Sequence, residues 1–182
     1  MKSLYLSVIL IACYNCASWA QINNNLTVFL SSRNTSVPIY KNPVGHEVSA
    51  YIIEDHSYDE GNILIIKDKS SLRYKIEVFT PSGKVVCGWI NKVDCAVYVR
   101  PKGSVWNINK SPFENNPIGI FNSNEIETII PYLVVLDFDY KEFDYNNQTY
   151  KDWWLKVGFM FHDTYFEGWT REFCPDINHG CN

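Results

Sequence analysis

The sequence predicts an all-β protein built from two copies of one small module. Three observations carry that expectation. First, two stretches end alike: Tyr74-Lys75-Ile76-Glu77-Val78 leads to Cys87-Gly88-Trp89-Ile90, and Trp154-Leu155-Lys156-Val157-Gly158 leads to Glu167-Gly168-Trp169-Thr170. The Trp follows by 13 residues from Ile76 and by 12 from Val157, a spacing close enough for a duplication. Second, short runs rich in Val, Ile, Tyr, Phe and Trp are separated by Asn, Gly, Pro, Ser and Asp clusters, the pattern of a barrel or sandwich. Third, no segment carries a convincing helical period.

In chain order, the strands of the first copy are expected at Leu26 to Leu30, Val37 to Tyr40, Val48 to Ile53, Ile63 to Lys67, Arg73 to Phe79 and Val85 to Ile90. Pro81-Ser82-Gly83 supplies a hairpin turn between the last two. The second copy repeats the order at Val97 to Arg100, Val105 to Ile108, Ile126 to Ile130, Leu133 to Phe138, Trp153 to Phe159 and Tyr165 to Thr170. The copies differ most between Asp68 and Tyr74, 6 positions, and between Asp137 and Trp154, 17 positions. Such insertions map to loops or extended hairpins, where binding residues concentrate. The boundary is expected between Asn91 and Val97, dividing the chain into 21–95 and 96–182.

Residues 1–20 read as a signal peptide: Lys2 is the positive start, Leu4 to Ala12 an apolar run too short to span a bilayer, and Ser18-Trp19-Ala20 a cleavage site. Leu10-Ile11-Ala12-Cys13 also has the form of a lipobox, so membrane attachment through lipidated Cys13 is the alternative to soluble export. The chain has 16 Lys and Arg against 20 Asp and Glu, a formal charge of −4; losing Lys2 leaves 15 against 20, or −5. A mildly acidic chain without a basic cluster lacks the means to grip nucleic acid or another polyanion.

Export suits the cysteines. Cys87, Cys95, Cys174 and Cys181 remain after the leader, an even number for an oxidising compartment. Three connectivities are open, of which the short loops favour Cys87 with Cys95 and Cys174 with Cys181. Zinc held by Cys174, His179 and Cys181 is a competing reading, without a fourth ligand nearby.

The succession Val37-Pro38-Ile39-Tyr40, Pro43, Ile63-Leu64-Ile65-Ile66-Lys67-Asp68, Tyr74-Lys75-Ile76 and Gly88-Trp89-Ile90 resembles the bacterial SH3-like (SH3b) family. The second copy contributes Val97-Tyr98-Val99-Arg100-Pro101, Pro117-Ile118-Gly119-Ile120 and the Trp154 to Thr170 pattern. The Arg-x-Gly-Pro usual after that family's first strand is absent from both copies. The resemblance implies two tandem small SH3-like barrels whose loops bind a peptide, a cell-wall glycopeptide or a protein partner at the cell envelope.

Within this frame Gly88-Trp89 and Gly168-Trp169 are expected to be architectural: Gly admits close backbone passage and the indole covers a barrel end. The long segment of the second copy offers the candidate ligand surface, Tyr140, Tyr145, Tyr150, Trp153 and Tyr165, with Asp139, Glu142 and Asp144 as polar selectors. Aromatic faces with polar tips suit a sugar ring or an extended peptide. Trp153 and Trp154, adjacent on a strand, face opposite sides. Alternating carboxylates from Asp137 to Asp144 also admit calcium, but without the ligand spacing of an EF-hand. No enzyme and no cofactor are expected: the thiols sit in or beside β segments, and His46, His56, His162 and His179 show no His-Glu-x-x-His or comparable spacing.

Overall fold

The computed structural model describes residues 25–31, 36–53, 62–80, 83–130 and 132–174. The leader, Cys13, Cys181 and Pro81-Ser82 lie outside the described residues. The strands are β1 (Leu26–Leu30), β2 (Ser36–Tyr40), β3 (Val48–Ile53), β4 (Ile63–Lys69), β5 (Arg73–Phe79), β6 (Val85–Asn91) and β7 (Cys95–Val99). They continue as β8 (Val105–Asn109), β9 (Pro117–Asn122), β10 (Leu133–Tyr145), β11 (Gln148–Phe161), β12 (Thr164–Thr170) and β13 (Phe173–Cys174). A 3-10 turn at Lys92–Asp94 and one helix, α1 (Ser123–Ile129), complete the described elements. The protein is mostly β. All pairings are antiparallel, and the strands form one sheet that does not close, in the order β3-β2-β6-β5-β4-β1-β7-β10-β11-β12-β8-β9, with β13 on β7.

That order is symmetric about its centre. Outward from the β1/β7 contact, the first half runs β1-β4-β5-β6-β2-β3 and the second β7-β10-β11-β12-β8-β9. Registers repeat as well: Val28 pairs with Leu64 and Val97 with Leu133, each 69 positions later. Even the irregularities recur. The register slips between Ile39 and Tyr40 and again between Ile108 and Asn109, and between Ile66 and Asp68 and again between Val135 and Asp137. A bulge bends a strand and increases its twist, so matched bulges give the two halves matched curvature. The one-residue difference in the Gly-Trp spacing comes from the turns. β5 and β6 are joined from Thr80 to Lys84, whereas β11 and β12 meet at a two-residue turn with His162 and Asp163 both at positive φ.

The glycine of each Gly-Trp pair lies where strands cross too closely for a side chain. A Cβ on Gly88 would collide with Ile39 Cγ2 and lie 2.9 Å from the Tyr40 carbonyl oxygen; on Gly168 it would collide with Ile108 Cγ2 and lie 2.9 Å from that of Asn109. Gly88 sits opposite Ile76 and Gly168 opposite Val157, both core residues. Trp89 and Trp169, one residue on, are half-buried.

One cluster of buried apolar residues runs through both halves. At the junction, Tyr74 is fully buried, donates to the Val135 carbonyl at 3.2 Å and packs on Phe138 at 5.7 Å between ring centres. Phe29 of β1 stacks on Tyr98 of β7 at 4.3 Å. Lys69 donates to Asp137 Oδ1 at 2.9 Å and to the Phe138 carbonyl at 2.6 Å, and Lys92 Nζ stands 3.9 Å from the same carboxylate. Burial opposes the charge on Asp137. The Lys69 hydrogen bond, the Phe138 N–H and the two ammonium charges outweigh it and hold the carboxyl below its ordinary pKa.

Two sequence expectations are corrected. Ile126 to Ile130 is not a strand: Asn122 Oδ1 accepts from the N–H groups of Asn124 and Glu125, capping a helix that turns Ile126 into the core. The strand of that region is β9, before the helix. Cys87 and Cys95 are not paired; both are free. Cys87 projects from the exposed face of β6, while Cys95 is fully buried where β7 begins, so the chain separation is short but the side chains diverge. Burial, with the nearby Asp94 charge, pushes the Cys95 thiol pKa up. Cys174 is buried and disulfide-bonded, its partner outside the described residues.

Three outcomes follow from this packing. Gly88→Ala and Gly168→Ala each lose about 1–3 kcal/mol through overpacking, measured by urea unfolding; unchanged stability would show that the strands can separate at no cost. A thiol reagent modifies Cys87 in the folded protein, and Cys95 only once denaturant is added, as peptide mapping can read. Because the Asp137 pKa is depressed on folding, its contribution is present above the unfolded carboxyl value and fades as pH falls through the folded one. Asp137→Asn therefore lowers the melting temperature at pH 7, by the equivalent of about 1 kcal/mol or less for so exposed a network. The gap to the wild type narrows below about pH 4.

Candidate functional site

The insertion expected as a loop is a β-arm, formed by the outer halves of β10 and β11 and closed by Asn146 and Asn147, both at positive φ. That two-residue turn matches the right-handed twist of a hairpin, and asparagine tolerates its left-handed backbone. Pairing is continuous from Phe138↔Leu155 to Tyr145↔Gln148. Alternation then divides the candidate residues between two faces. Tyr140, Glu142, Asp144 and Trp153 share the face that continues into the core side of the sheet, and Asp139, Tyr145 and Tyr150 share the other.

On the first face Trp153 is half-buried, 4.8 Å from Tyr140 and 5.7 Å from Phe138 between ring centres, with Lys151 Nζ 4.2 Å above the Tyr140 ring. Its Nε1 is buried without a partner. On the second, Phe143 stacks on Tyr150 at 5.7 Å and Tyr145 lies at the tip, 63% exposed. Asp139 accepts from the Tyr140 N–H at 2.8 Å and Asp144 from Thr149 Oγ1 at 2.8 Å, while Glu142 is exposed. Tyr165 is elsewhere. On β12 it pairs with Met160, ten residues of β11 from Tyr150 or roughly 30 Å along the strand, and it folds its hydroxyl over Gly158. Its pKa is raised, first by burial and then by Glu167. The eight residues do not converge on one groove.

A groove does exist, on the face of Trp154. It has a volume of about 360 Å³, at the small end of ligand pockets. Its floor is Trp154, Asn109 and Thr170, all buried; Phe113, Asn107 and Glu172 form half-buried walls; Glu114, Asn115 and Arg171 stand exposed at the rim. Trp154 is only 8% exposed because Phe113, 5.9 Å away and at φ 64, folds down from the 110–116 loop onto the indole. Lys141 of the arm sits 4.5 Å above the Phe113 ring, and Arg171 6.0 Å from the Trp154 ring centre. Neither adjacent tryptophan is therefore fully exposed, because each strand face has its own cover.

The same place in the first half is filled. Matched registers set Arg73↔Asn91 opposite Trp154 and Arg171, and Tyr40↔Trp89 opposite Asn109↔Trp169. The loops also correspond, closing by Lys41 N–H to Glu47 O and Lys110 N–H to Asn116 O, each at 3.0 Å. Into the first loop reaches Arg73, 7% exposed. Its guanidinium donates to the carbonyls of Asn42 at 2.9 Å and Gly45 at 2.8 Å and to Asn91 Oδ1 at 3.1 Å, and stacks 3.5 Å from the Tyr40 ring centre. The first copy thus satisfies its own groove.

The second copy does not. Asn109, 6% exposed, has a buried Oδ1 without a hydrogen-bond partner, and its Nδ2 reaches only the Trp169 carbonyl at 3.4 Å. An orphaned acceptor costs about 1–3 kcal/mol. Among the described residues, neither Glu114 nor Glu172 takes part in an ion pair. Their positions hold Gly45 and Lys92 in the first copy. Sequence reading missed this site. Its signal was the shared Lys-x-Pro of Lys41-Asn42-Pro43 and Lys110-Ser111-Pro112, which aligns the two loops. Among the described residues no group of three His, Cys, Asp or Glu converges as a metal site. In comparisons with known proteins, the chain matches no family, no curated protein and no solved structure.

Proposed function

We propose that this is an exported, non-enzymatic recognition protein with two tandem SH3-like barrels, whose second module binds a peptide, a cell-wall glycopeptide or a protein partner. The observation that carries this reading is the contrast between equivalent grooves, one filled by Arg73 and the other open beneath Phe113 and Trp154. The barrel reading draws support from the repeated six-strand order and from the paired bulges and close-packed glycines that curl each half. Aromatic walls, amide-bearing side chains and charged rim groups offer a ligand apolar area together with directional hydrogen bonds. The arm adds the aromatic pairs Tyr140/Trp153 and Phe143/Tyr150 as a second contact surface beside the groove.

A structural adaptor is the second reading. It draws on Trp153, which packs on Phe138, itself against Tyr74 of the other half. An adaptor would use the arm in self-association, visible as a concentration-dependent sedimentation coefficient.

The test is binding of the mature protein to peptidoglycan fragments and to peptide and glycan arrays. Phe113→Ala and Trp154→Ala are expected to weaken binding roughly thirtyfold, as loss of a buried aromatic anchor does. Arg73→Lys in the first copy leaves it unchanged. Binding that survives both aromatic substitutions and falls with Trp153→Ala would move the site to the arm, and no binding to any probe would reject the recognition role.

A further inference from the structure

We infer that the open groove of the second copy receives a guanidinium group, from an arginyl side chain of a peptide or protein partner. The inference rests on the recognition reading and narrows its ligand. The first copy supplies the reasoning, because Arg73 is already seated there like a ligand. It has the three things a buried guanidinium needs: an aromatic face in Tyr40, backbone carbonyls of Asn42 and Gly45, and the side-chain oxygen of Asn91.

In the second copy the residue that would fill the groove from within has become Trp154, and the surroundings have changed in the direction an external cation requires. Glu114 replaces Gly45 and Glu172 replaces Lys92, so two carboxylates stand at groove positions where the first copy has a glycine and a lysine. Phe113 and Trp154 bring two aromatic rings to the groove, and both already draw cations, Lys141 Nζ 4.5 Å from the Phe113 ring centre and Arg171 6.0 Å from that of Trp154. On the floor, the partnerless Oδ1 of Asn109 is an acceptor awaiting a donor, and the broad second side-chain torsion of asparagine lets it turn toward the groove. A guanidinium carries five donors and no acceptor, matching the unpaired Asn109 Oδ1 and two carboxylates that each accept one local bond, Glu114 from Ser111 Oγ and Glu172 from the Lys102 N–H. Arg171, exposed and 6.0 Å from the Trp154 ring, and Lys141, 4.5 Å from the Phe113 ring, are the competing charges; a bound guanidinium displaces Arg171 from the indole.

Isothermal titration of the whole mature protein with the capped peptide Gly-Arg-Gly, its citrulline counterpart and free arginine amide tests this. Citrulline keeps the shape and removes the charge. The expected result is binding of the arginine peptide, weakened about tenfold or more by citrulline and by the double substitution Glu114→Gln with Glu172→Gln. Arg171→Gln is expected to strengthen binding, a direction that general damage to the fold does not produce. Free arginine amide binding as well as the peptide shows the guanidinium alone to be the ligand; weaker binding shows that the peptide backbone contributes. Equal binding of the citrulline peptide, or no response to the glutamate substitutions, overturns the inference. An array ligand that carries no cation and is lost in Trp154→Ala also overturns it, while leaving the recognition reading in place.

Discussion

Two short copies become one protein because β1 and β7, the first strand of each half, lie antiparallel against each other at Phe29↔Ala96 and Leu30↔Cys95. Each of these strands also borders the fourth strand of its own half, β4 or β10, so neither half can lose its first strand without opening the junction. Small domains bury too little surface to be robust alone, and a shared core raises the buried fraction for both. Tyr74 is the clearest product of that sharing: a phenol from the first half, sealed in the core, with its hydroxyl on a carbonyl of the second. Burial, with Cys95 and Asp137 nearby, pushes its pKa far up, so it stays neutral and able to donate.

The rigid frame gives the site its geometry. The floor of the groove consists of strand residues, Asn109 on β8, Trp154 on β11 and Thr170 on β12, while the cover, Phe113, and the carboxylates Glu114 and Glu172 come from loops. Side chains held by a sheet keep their spacing whether or not a ligand is present, which lowers the ordering cost of binding. The arm is held differently. Beyond Tyr140 it is a two-stranded ribbon, marginal by itself, and it relies on cross-strand pairs such as Phe143 and Tyr150.

Much of this was legible in the sequence. The alternation of apolar residues located most strands, and the paired Gly-Trp segments announced the duplication, because a glycine forced by close backbone approach leaves the same mark in each copy. The helix was missed because its five-residue run of Ile126 to Ile130 reads equally as a strand, and only the Asn122 cap decides. The Cys87 and Cys95 pairing failed because separation along the chain says nothing about which face of a strand a thiol occupies. The groove was hidden for a subtler reason. Read by sequence alone, Trp154 falls opposite Tyr74, whereas the sheet register sets Tyr74 with Leu155 and Trp154 with Arg73. A one-residue slip exchanges the two faces of a strand, and with them the comparison that makes the site visible.

Duplication usually multiplies sites, and linked sites gain avidity because the second event draws on a high effective concentration. Arg73 separates copy number from valency. Among the described residues, its side chain fills the first groove while the equivalent groove of the second half is open. On the proposed recognition role, any strengthening by multiple attachment then comes from neighbouring chains or from a further surface such as the arm. The first copy contributes rigidity instead, as a permanently occupied half on which the second is built.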